Sequence, residues 1–310
     1  MKAVALDEYG GPDVLSLREL PDPVLSPDGV LIDVRAAGVN PVDYKIREGY
    51  LRGLFPHHTP LIPGWDVAGV VAAVGPAVTA FAPGDEVYAY ARKDSVQCGT
   101  YAERVVVADR AVARKPASLS FAQAGAVPLA GLTALQSLRE VGVHSGETVL
   151  VHAAAGGVGH FAVQIALAMG AARVFGTASE DNHDFLRSLG AEPLAYGADL
   201  PERLAQLVGG DGKVDAAVDY IGGEALAQSL LVVRDPARHG SIVDSRGVLD
   251  QGGRYTFVRP DGDGLAYLGT LVAEGALRIE VAQEFPLAQA ADAQRLVAGG
   301  HVRGKVVLTV

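Results

Sequence analysis

One turn restricts this chain more than any other feature. Val149-Leu150-Val151-His152-Ala153-Ala154-Ala155-Gly156-Gly157-Val158-Gly159 runs from an uninterrupted apolar stretch into three glycines, and then into Phe161-Ala162-Val163-Gln164-Ile165-Ala166. A short apolar run bounded by turn residues reads as a buried strand, and the breaker-free segment after it reads as a helix. Set against the fingerprint G-x-G-x-x-G, Ala154 takes the first glycine, Gly156 the second and Gly159 the third, with Gly157 and Val158 between the last two. In such a turn the second glycine lets backbone approach a pyrophosphate and the third lets the helix pack close to the sheet. The helix N-terminus then turns its partial positive charge toward the phosphates. Alanine at the first position departs from the pattern, so a glycine-rich strand-to-helix turn without a ligand stays open on the motif alone.

The surroundings of the turn give it a context. Strand candidates at 148–152, 173–177, 214–219 and 240–244 alternate with helical candidates at 159–169, 182–189, 200–208 and 224–232. Strand and helix in alternation predict an α/β fold with a doubly wound parallel sheet of the Rossmann type. The first hundred residues have another texture, dense in Pro and Gly, with short apolar runs at 29–34, 69–75, 85–90 and 102–107 that predict a mostly β unit. A last helix at 287–298 and a last strand at 304–310 follow. For 310 residues, 49% of them hydrophobic, two domains are expected.

Charge and cysteine usage remove several function classes. A formal net charge of -10 argues against a nucleic-acid partner or an anionic membrane surface, since both are met by clustered Lys and Arg; a small-molecule substrate fits better. No apolar run approaches the length of a bilayer span, and Asp7 interrupts the N-terminus before a signal-type stretch develops, so the expected location is cytoplasmic. The single cysteine, Cys98, excludes an internal disulfide and any multi-cysteine zinc site. With Gln97 and Gly99 beside it and no cation adjacent in sequence, a nucleophilic role for Cys98 is not expected.

The second strand bears on cofactor choice. NAD sites place Asp or Glu at its end, about twenty residues after the glycines, to bond the ribose hydroxyls. Here the strand ends Thr177-Ala178-Ser179. A small hydroxyl residue leaves room for a 2′-phosphate, which favours NADPH over NADH. Glu180 and Asp181 follow at once, however, and no Lys or Arg lies within three residues of Ser179. Ser179 as a simple helix cap is the alternative.

Several segments together resemble the zinc-independent quinone oxidoreductases and NADPH-dependent enone (alkenal) reductases of the medium-chain dehydrogenase/reductase superfamily. They are Lys2-Ala3-Val4, Ala36-Ala37-Gly38-Val39-Asn40-Pro41-Val42-Asp43-Tyr44-Lys45, Ile62-Pro63-Gly64-Trp65-Asp66-Val67-Ala68-Gly69-Val70-Val71, Gly84-Asp85-Glu86-Val87, the glycine turn, and Arg303-Gly304-Lys305-Val306-Val307-Leu308. The resemblance implies a β-rich, GroES-like catalytic domain made of 1–115 and 276–310, a dinucleotide-binding Rossmann domain at 116–275, and a homodimer. Zinc-dependent members carry Cys where this chain has Asn40 and Gly-His-Glu where it has Gly64-Trp65-Asp66, so the resemblance implies no metal. Without a Lewis acid, the substrate must already be activated by conjugation.

The resemblance also assigns candidate residues. Lys45, Tyr44, Asn40 and Tyr50 would lie by the nicotinamide and act on the substrate oxygen, where negative charge gathers as hydride arrives. Asp43 is expected to cap or brace its segment. Thr133, Ser179, His183, Tyr196, Phe257, Val258, Arg259 and Lys305 would join Ala154 and the glycine turn in holding the cofactor. The bland alternatives are a solvated Lys45, loop packing for Tyr50, and surface charges for Arg259 and Lys305. His57 and His58 are expected in a surface loop, and His152 as a packed imidazole. An enoyl reductase of a biosynthetic step and an NADPH-binding protein without turnover are the rival functions.

Overall fold

The computed structural model describes all 310 residues. Its first third follows the short apolar runs: β1 (Lys2–Ala5), β2 (Ser16–Glu19), β3 (Gly29–Val39), α1 (Pro41–Arg47), β4 (His57–Ile62), β5 (Asp66–Val74), β6 (Glu86–Tyr90), β7 (Val96–Cys98), β8 (Arg104–Ala108) and β9 (Val112–Arg114). Strand side chains alternate between faces, and β3 uses both. Val30, Ile32 and Val34 enter one apolar cluster with Val67, Val87 and Val105, while Ala37 and Val39 enter another with Tyr101 and Leu308.

Two helices, α2 (Phe121–Ala126) and α3 (Pro128–Glu140), lead to the alternating region. There β10 (Thr148–Val151), α4 (Gly159–Ala168), β11 (Arg173–Thr177), α5 (His183–Ser188), β12 (Glu192–Leu194), α6 (Leu200–Val208), β13 (Ala216–Asp219), α7 (Glu224–Val232), β14 (His239–Ser241), α8 (Ser245–Asp250) and β15 (Arg254–Tyr255) follow one another. The six strands pair in parallel in the order β12-β11-β10-β13-β14-β15. In sequence terms that is 3-2-1-4-5-6, so the strand order reverses beside β10, and the carboxyl ends of the strands open a crevice there. The middles of β10, β11 and β13 are apolar because helices cover both faces of such a sheet. Leu150, Phe175 and Ala217 meet Leu200, Leu204 and Val232 in its core.

The chain closes with α9 (Gly262–Ala273), β16 (Val281–Pro286), α10 (Ala290–Ala298) and β17 (Lys305–Thr309). β17 returns to the first region and pairs antiparallel with β3, setting Val306 opposite Val39, in a sheet ordered β16-β17-β3-β5-β6-β9. The fold class is the one expected from the sequence.

Packing divides the chain into Met1–Leu132, Arg259–Ala273 and Ile279–Val310 as one unit, and Thr133–Val258 with Glu274–Arg278 as the other. This differs from the expected boundaries at 115/116 and 275/276, because helices at both joins pack on the first unit's strands. In α2, a Cβ on Gly125 would lie 3.2 Å from backbone of Ala36. In α9, the Leu265 carbonyl accepts the Tyr88 hydroxyl at 2.5 Å. Conversely, Arg278 is tied to the second unit by Gln164, whose side chain bonds both its N–H and its carbonyl, at 2.8 and 3.0 Å.

Candidate active site

The glycine turn leaves β10 held from both sides. His152 N–H donates to the Val218 carbonyl at 2.9 Å, and Ala154 N–H to the Thr177 carbonyl at 2.9 Å. Ala153 N–H donates to Thr177 Oγ1 at 3.1 Å. These bonds bend the chain at Ala153, which takes φ +51, a left-handed conformation that L side chains resist. The two later glycines differ in purpose. A Cβ on Gly159 would stand 2.2 Å from the Ala153 carbonyl oxygen and 2.6 Å from Ala154 Cα, both fixed backbone, whereas one on Gly156 would meet only the Ala153 carbonyl oxygen, at 3.2 Å. Gly159 is needed by the fold; Gly156 keeps the outer side of the turn bare.

The other candidates of this unit follow successive strand ends. Ser179 and His183 come after β11, Tyr196 after β12, and Phe257 with Val258 after β15 at the opposite edge. Tyr196 is 67% exposed and Phe257 43%. The Ser179 hydroxyl does not cap the short helical turn at 180–182; it accepts from the Asn182 amide at 3.0 Å. Thr133 is buried in α3.

Sequence reasoning missed Ile221 and Val243, large apolar side chains left exposed after β13 and β14. Each of the four strands β12 to β15 is thus followed by an exposed apolar side chain, an arrangement suited to flat rings. Buried imidazole nitrogens add a polar component. Nε2 of His183 and Nε2 of His152 are both shielded without a hydrogen-bond partner. Burial, against the pull of Asp219, takes His152 down to about 4, so the ring is neutral. Its Nδ1 meets Thr177 Oγ1 at 3.3 Å. Bare glycine backbone, exposed apolar surfaces and two unpaired ring nitrogens together fit a dinucleotide.

The remaining candidates belong to the first unit. Asn40 starts α1, and Tyr44 and Lys45 lie along it, Tyr44 half-buried and Lys45 exposed. Burial, with help from Glu48, holds the Tyr44 phenol above its ordinary value. Tyr50 is 73% exposed on the following turn. Arg259 is exposed as well.

Lys305 is not a surface charge. It is buried at the start of β17, where its ammonium donates to the Val39 carbonyl at 3.1 Å and to Asn40 Oδ1. Asn40 Nδ2 in turn donates to Asp66 Oδ2 at 2.8 Å, and the Leu129 N–H donates to Asp66 Oδ1 at 2.7 Å. The Lys305 ammonium stands 3.8 Å from Asp66 Oδ2.

Asp43 braces the same corner, its Oδ2 accepting from the Asn40 N–H at 2.8 Å and from the Tyr101 hydroxyl at 2.9 Å. Burial pushes Asp66 up to about 6 and Asp43 up to about 7, and it lowers Lys305. The partnership of Asn40, Asp66, Asp43, Tyr101 and Lys305 was not read from the sequence. The available signal was an acid at 66 inside an otherwise apolar run.

Trp65, expected at a lost zinc-ligand position, packs edge-on against Phe55 and Tyr90 with ring centroids 6.0 and 6.1 Å away. No group of three or more His, Cys, Asp or Glu side chains converges as a metal site. His57 is half-buried in β4 rather than in a free loop, its Nδ1 at 3.0 Å from the Tyr9 hydroxyl. Cys98 has a cation beside it that the sequence did not show, for Lys93 Nζ donates to the Cys98 carbonyl at 2.9 Å. No helix is long and apolar enough to cross a membrane.

Comparison with known proteins places these features in context. Residues 26–117 match the family model described as alcohol dehydrogenase GroES-like domain, and residues 189–308 match that described as zinc-binding dehydrogenase. The chain is 35% identical over 317 residues to the chloroplastic NADPH-dependent alkenal/one oxidoreductase of Arabidopsis thaliana, covering 99% of this chain and 79% of that one. The solved quinone oxidoreductase of Coxiella burnetii superposes with a TM-score of 0.86 at 36% identity, covering 100% of this chain and 99% of that one. A mycobacterial protein solved in complex with NADPH superposes with a TM-score of 0.84 at 30% identity, covering all of both chains.

Proposed function

The chain belongs to the quinone oxidoreductase and alkenal/one reductase family of the medium-chain dehydrogenase/reductase superfamily, and from that premise we propose that it uses NADPH to reduce a conjugated enone or enal, or a quinone. The observation that carries this reading is the bare turn Ala153–Gly159 leaving β10 beside the reversal of strand order. There Gly156, Gly157 and Val158 hold the pyrophosphate, with Ala154 and Gly159 shaping the turn beneath. Ser179, His183 and Tyr196 hold the adenosine end, and Thr133, Phe257, Val258 and Arg259 the nicotinamide end.

When bound, the reduced nicotinamide supplies hydride. As charge collects on the substrate oxygen, the Lys45 ammonium and the Tyr44 hydroxyl stabilise it. With its phenol held above the ordinary value, Tyr44 remains an O–H donor across the neutral range. Tyr50 stands by as a second donor, and a tyrosine or water provides the final proton. Asn40 is committed to Asp66 and Lys305, and the Trp65 ring to its aromatic neighbours. That donor set suits no zinc ion, which is why we assign substrates already polarised by conjugation rather than alcohols.

The test is the loss of reduced-nicotinamide absorbance, with NADPH and NADH in turn, against but-3-en-2-one, a longer enal and a benzoquinone. NADPH should be consumed, and Lys45→Ala should slow turnover by about a hundredfold, the scale of one oxyanion donor. Binding of NADPH without consumption across the panel would leave a non-catalytic dinucleotide-binding protein.

A further inference from the structure

The proposed chemistry needs Tyr44 and Lys45 held steady, and Lys45 is exposed on a helix of only seven residues. Nothing so short is rigid by its own hydrogen bonds. Its N-terminal end is fixed by the residue that precedes it. Asn40 is 2% exposed, and both ends of its amide are used: Nδ2 on the Asp66 carboxylate, Oδ1 on the Lys305 ammonium. An amide set between an anion and a cation has one orientation, since flipping it would set its carbonyl against the carboxylate and its NH2 against the ammonium.

We propose that Asp66 and Lys305 are positioning residues for the reaction, which lock the Asn40 amide in one orientation and so anchor the helix that presents Tyr44 and Lys45. The anchor is built from distant parts of the chain. Asp66 opens β5 and Lys305 opens β17, the two strands that flank β3, and Asn40 is the residue after β3. Asp66 also accepts from Leu129 N–H, so it is itself held. Burying an ion pair costs more in desolvation than it returns unless the hydrogen bonds around it are completed. Here the Asn40 side chain completes them, which gives the pair a task besides stability. This inference rests on the functional reading of Tyr44 and Lys45 above.

The charged and titratable groups facing the pair are Asp43, Tyr101 and Tyr90, each sensed electrostatically through the same buried corner. With burial raising Asp66 to about 6, acidification removes the anion from the lock. Turnover should therefore decline on the acid side, through a step that belongs to Asp66.

The experiment combines kinetics with a readout of the amide itself. Asp66→Asn alone leaves an ammonium buried without its counter-ion, so the neutral pair Asp66→Asn/Lys305→Met is made beside it as the variant expected to fold. Both should lower kcat with but-3-en-2-one about tenfold, while the NADPH dissociation constant stays within about twofold. The acid limb of kcat seen in the wild type should vanish. In parallel, the side-chain ¹⁵N amide signal of Asn40, assigned through Asn40→Ser, should show a step near pH 6 in the wild-type chain that is missing in the pair variant, where only the Asp43 step at about 7 remains.

An unchanged kcat with the acid limb intact overturns the proposal, as does an Asn40 signal whose response to pH is the same in the wild type and in the pair variant. If the wild type consumes no NADPH with any acceptor but the signal still titrates, the lock stands, while its role in a reaction falls together with the proposed function.

Discussion

Ala154, in the turn after β10, and Gly176, in β11, complement one another: a Cβ added to Gly176 would lie 2.8 Å from the Cβ of Ala154. The turn lacks the first glycine of the dinucleotide fingerprint, and the space that glycine would have left is supplied by the next strand. Gly176→Ala should therefore cost about 1–3 kcal/mol, as overpacking does, because Leu186 Cδ1 at 3.1 Å closes the other side. Pairing it with Ala154→Gly should recover most of that loss. Urea unfolding of the two single variants and the double completes a cycle; strictly additive costs would mean that the two residues do not share the space.

What could be read in the sequence depended on how local the cause was. Strands β10, β11 and β13 were legible because a parallel sheet covered on both faces demands unbroken apolar runs such as Val149-Leu150-Val151. The edge strands β12 and β15 were not. Glu192-Pro193-Leu194 contains a proline, which an edge tolerates, and Arg254-Tyr255 is only two residues long. The turn that holds Gly156 and Gly159 is contiguous, and so its place was visible, but the left-handed residue proved to be Ala153 rather than a glycine. The buried corner around Asn40 was invisible because its members are 26 and 265 positions apart and meet only when β17 pairs with β3. The packing of α2 and α9 with the first unit escaped for the same reason, since which sheet a helix packs on is not written in the helix.

The two glycines of the turn should separate folding from binding. Gly159→Ala pushes a methyl into fixed backbone and should destabilise the chain by about 2 kcal/mol or more. Gly156→Ala meets one neighbour, the Ala153 carbonyl oxygen at 3.2 Å, a tight contact that a small shift relieves, so its melting temperature should fall by much less than that of Gly159→Ala. Its methyl would stand where the pyrophosphate must approach, and the NADPH dissociation constant should rise at least about tenfold. Calorimetric melting and fluorescence titration measure the two effects. A Gly156→Ala chain that binds NADPH normally would remove this turn from the cofactor site.

The acidic pair after Ser179 should work against the 2′-phosphate. Glu180 and Asp181 are exposed, so each interaction is weak and screened, worth about 0.2–1 kcal/mol. Glu180→Gln/Asp181→Asn should tighten NADPH about two- to fivefold and leave NADH nearly unaffected, with the gain shrinking as salt is raised. Equal tightening of both cofactors would place the phosphate elsewhere.

Asp43 should make the stability of the first unit depend on pH in the direction opposite to that of a salt-bridged acid. Its Oδ2 serves both the Asn40 N–H and the Tyr101 hydroxyl, while its Oδ1 is buried without a partner. Burial raises the group from 3.8 to about 7, so between those values the folded chain holds a proton that the unfolded chain releases. Stability from this group is complete below about pH 4 and is lost as pH rises through about 7. Asp43→Asn keeps an acceptor for both donors and can never ionise. Relative to the wild type it should gain stability as pH rises from about 4 to about 7 and then level off, by up to a few kcal/mol. The Asp66 contribution is common to both chains and largely cancels in the difference. Chemical denaturation at four or five pH values gives the two curves, and curves that run parallel would mean that Asp43 is ionised in the fold throughout, with a counter-charge closer than Lys305 supplies.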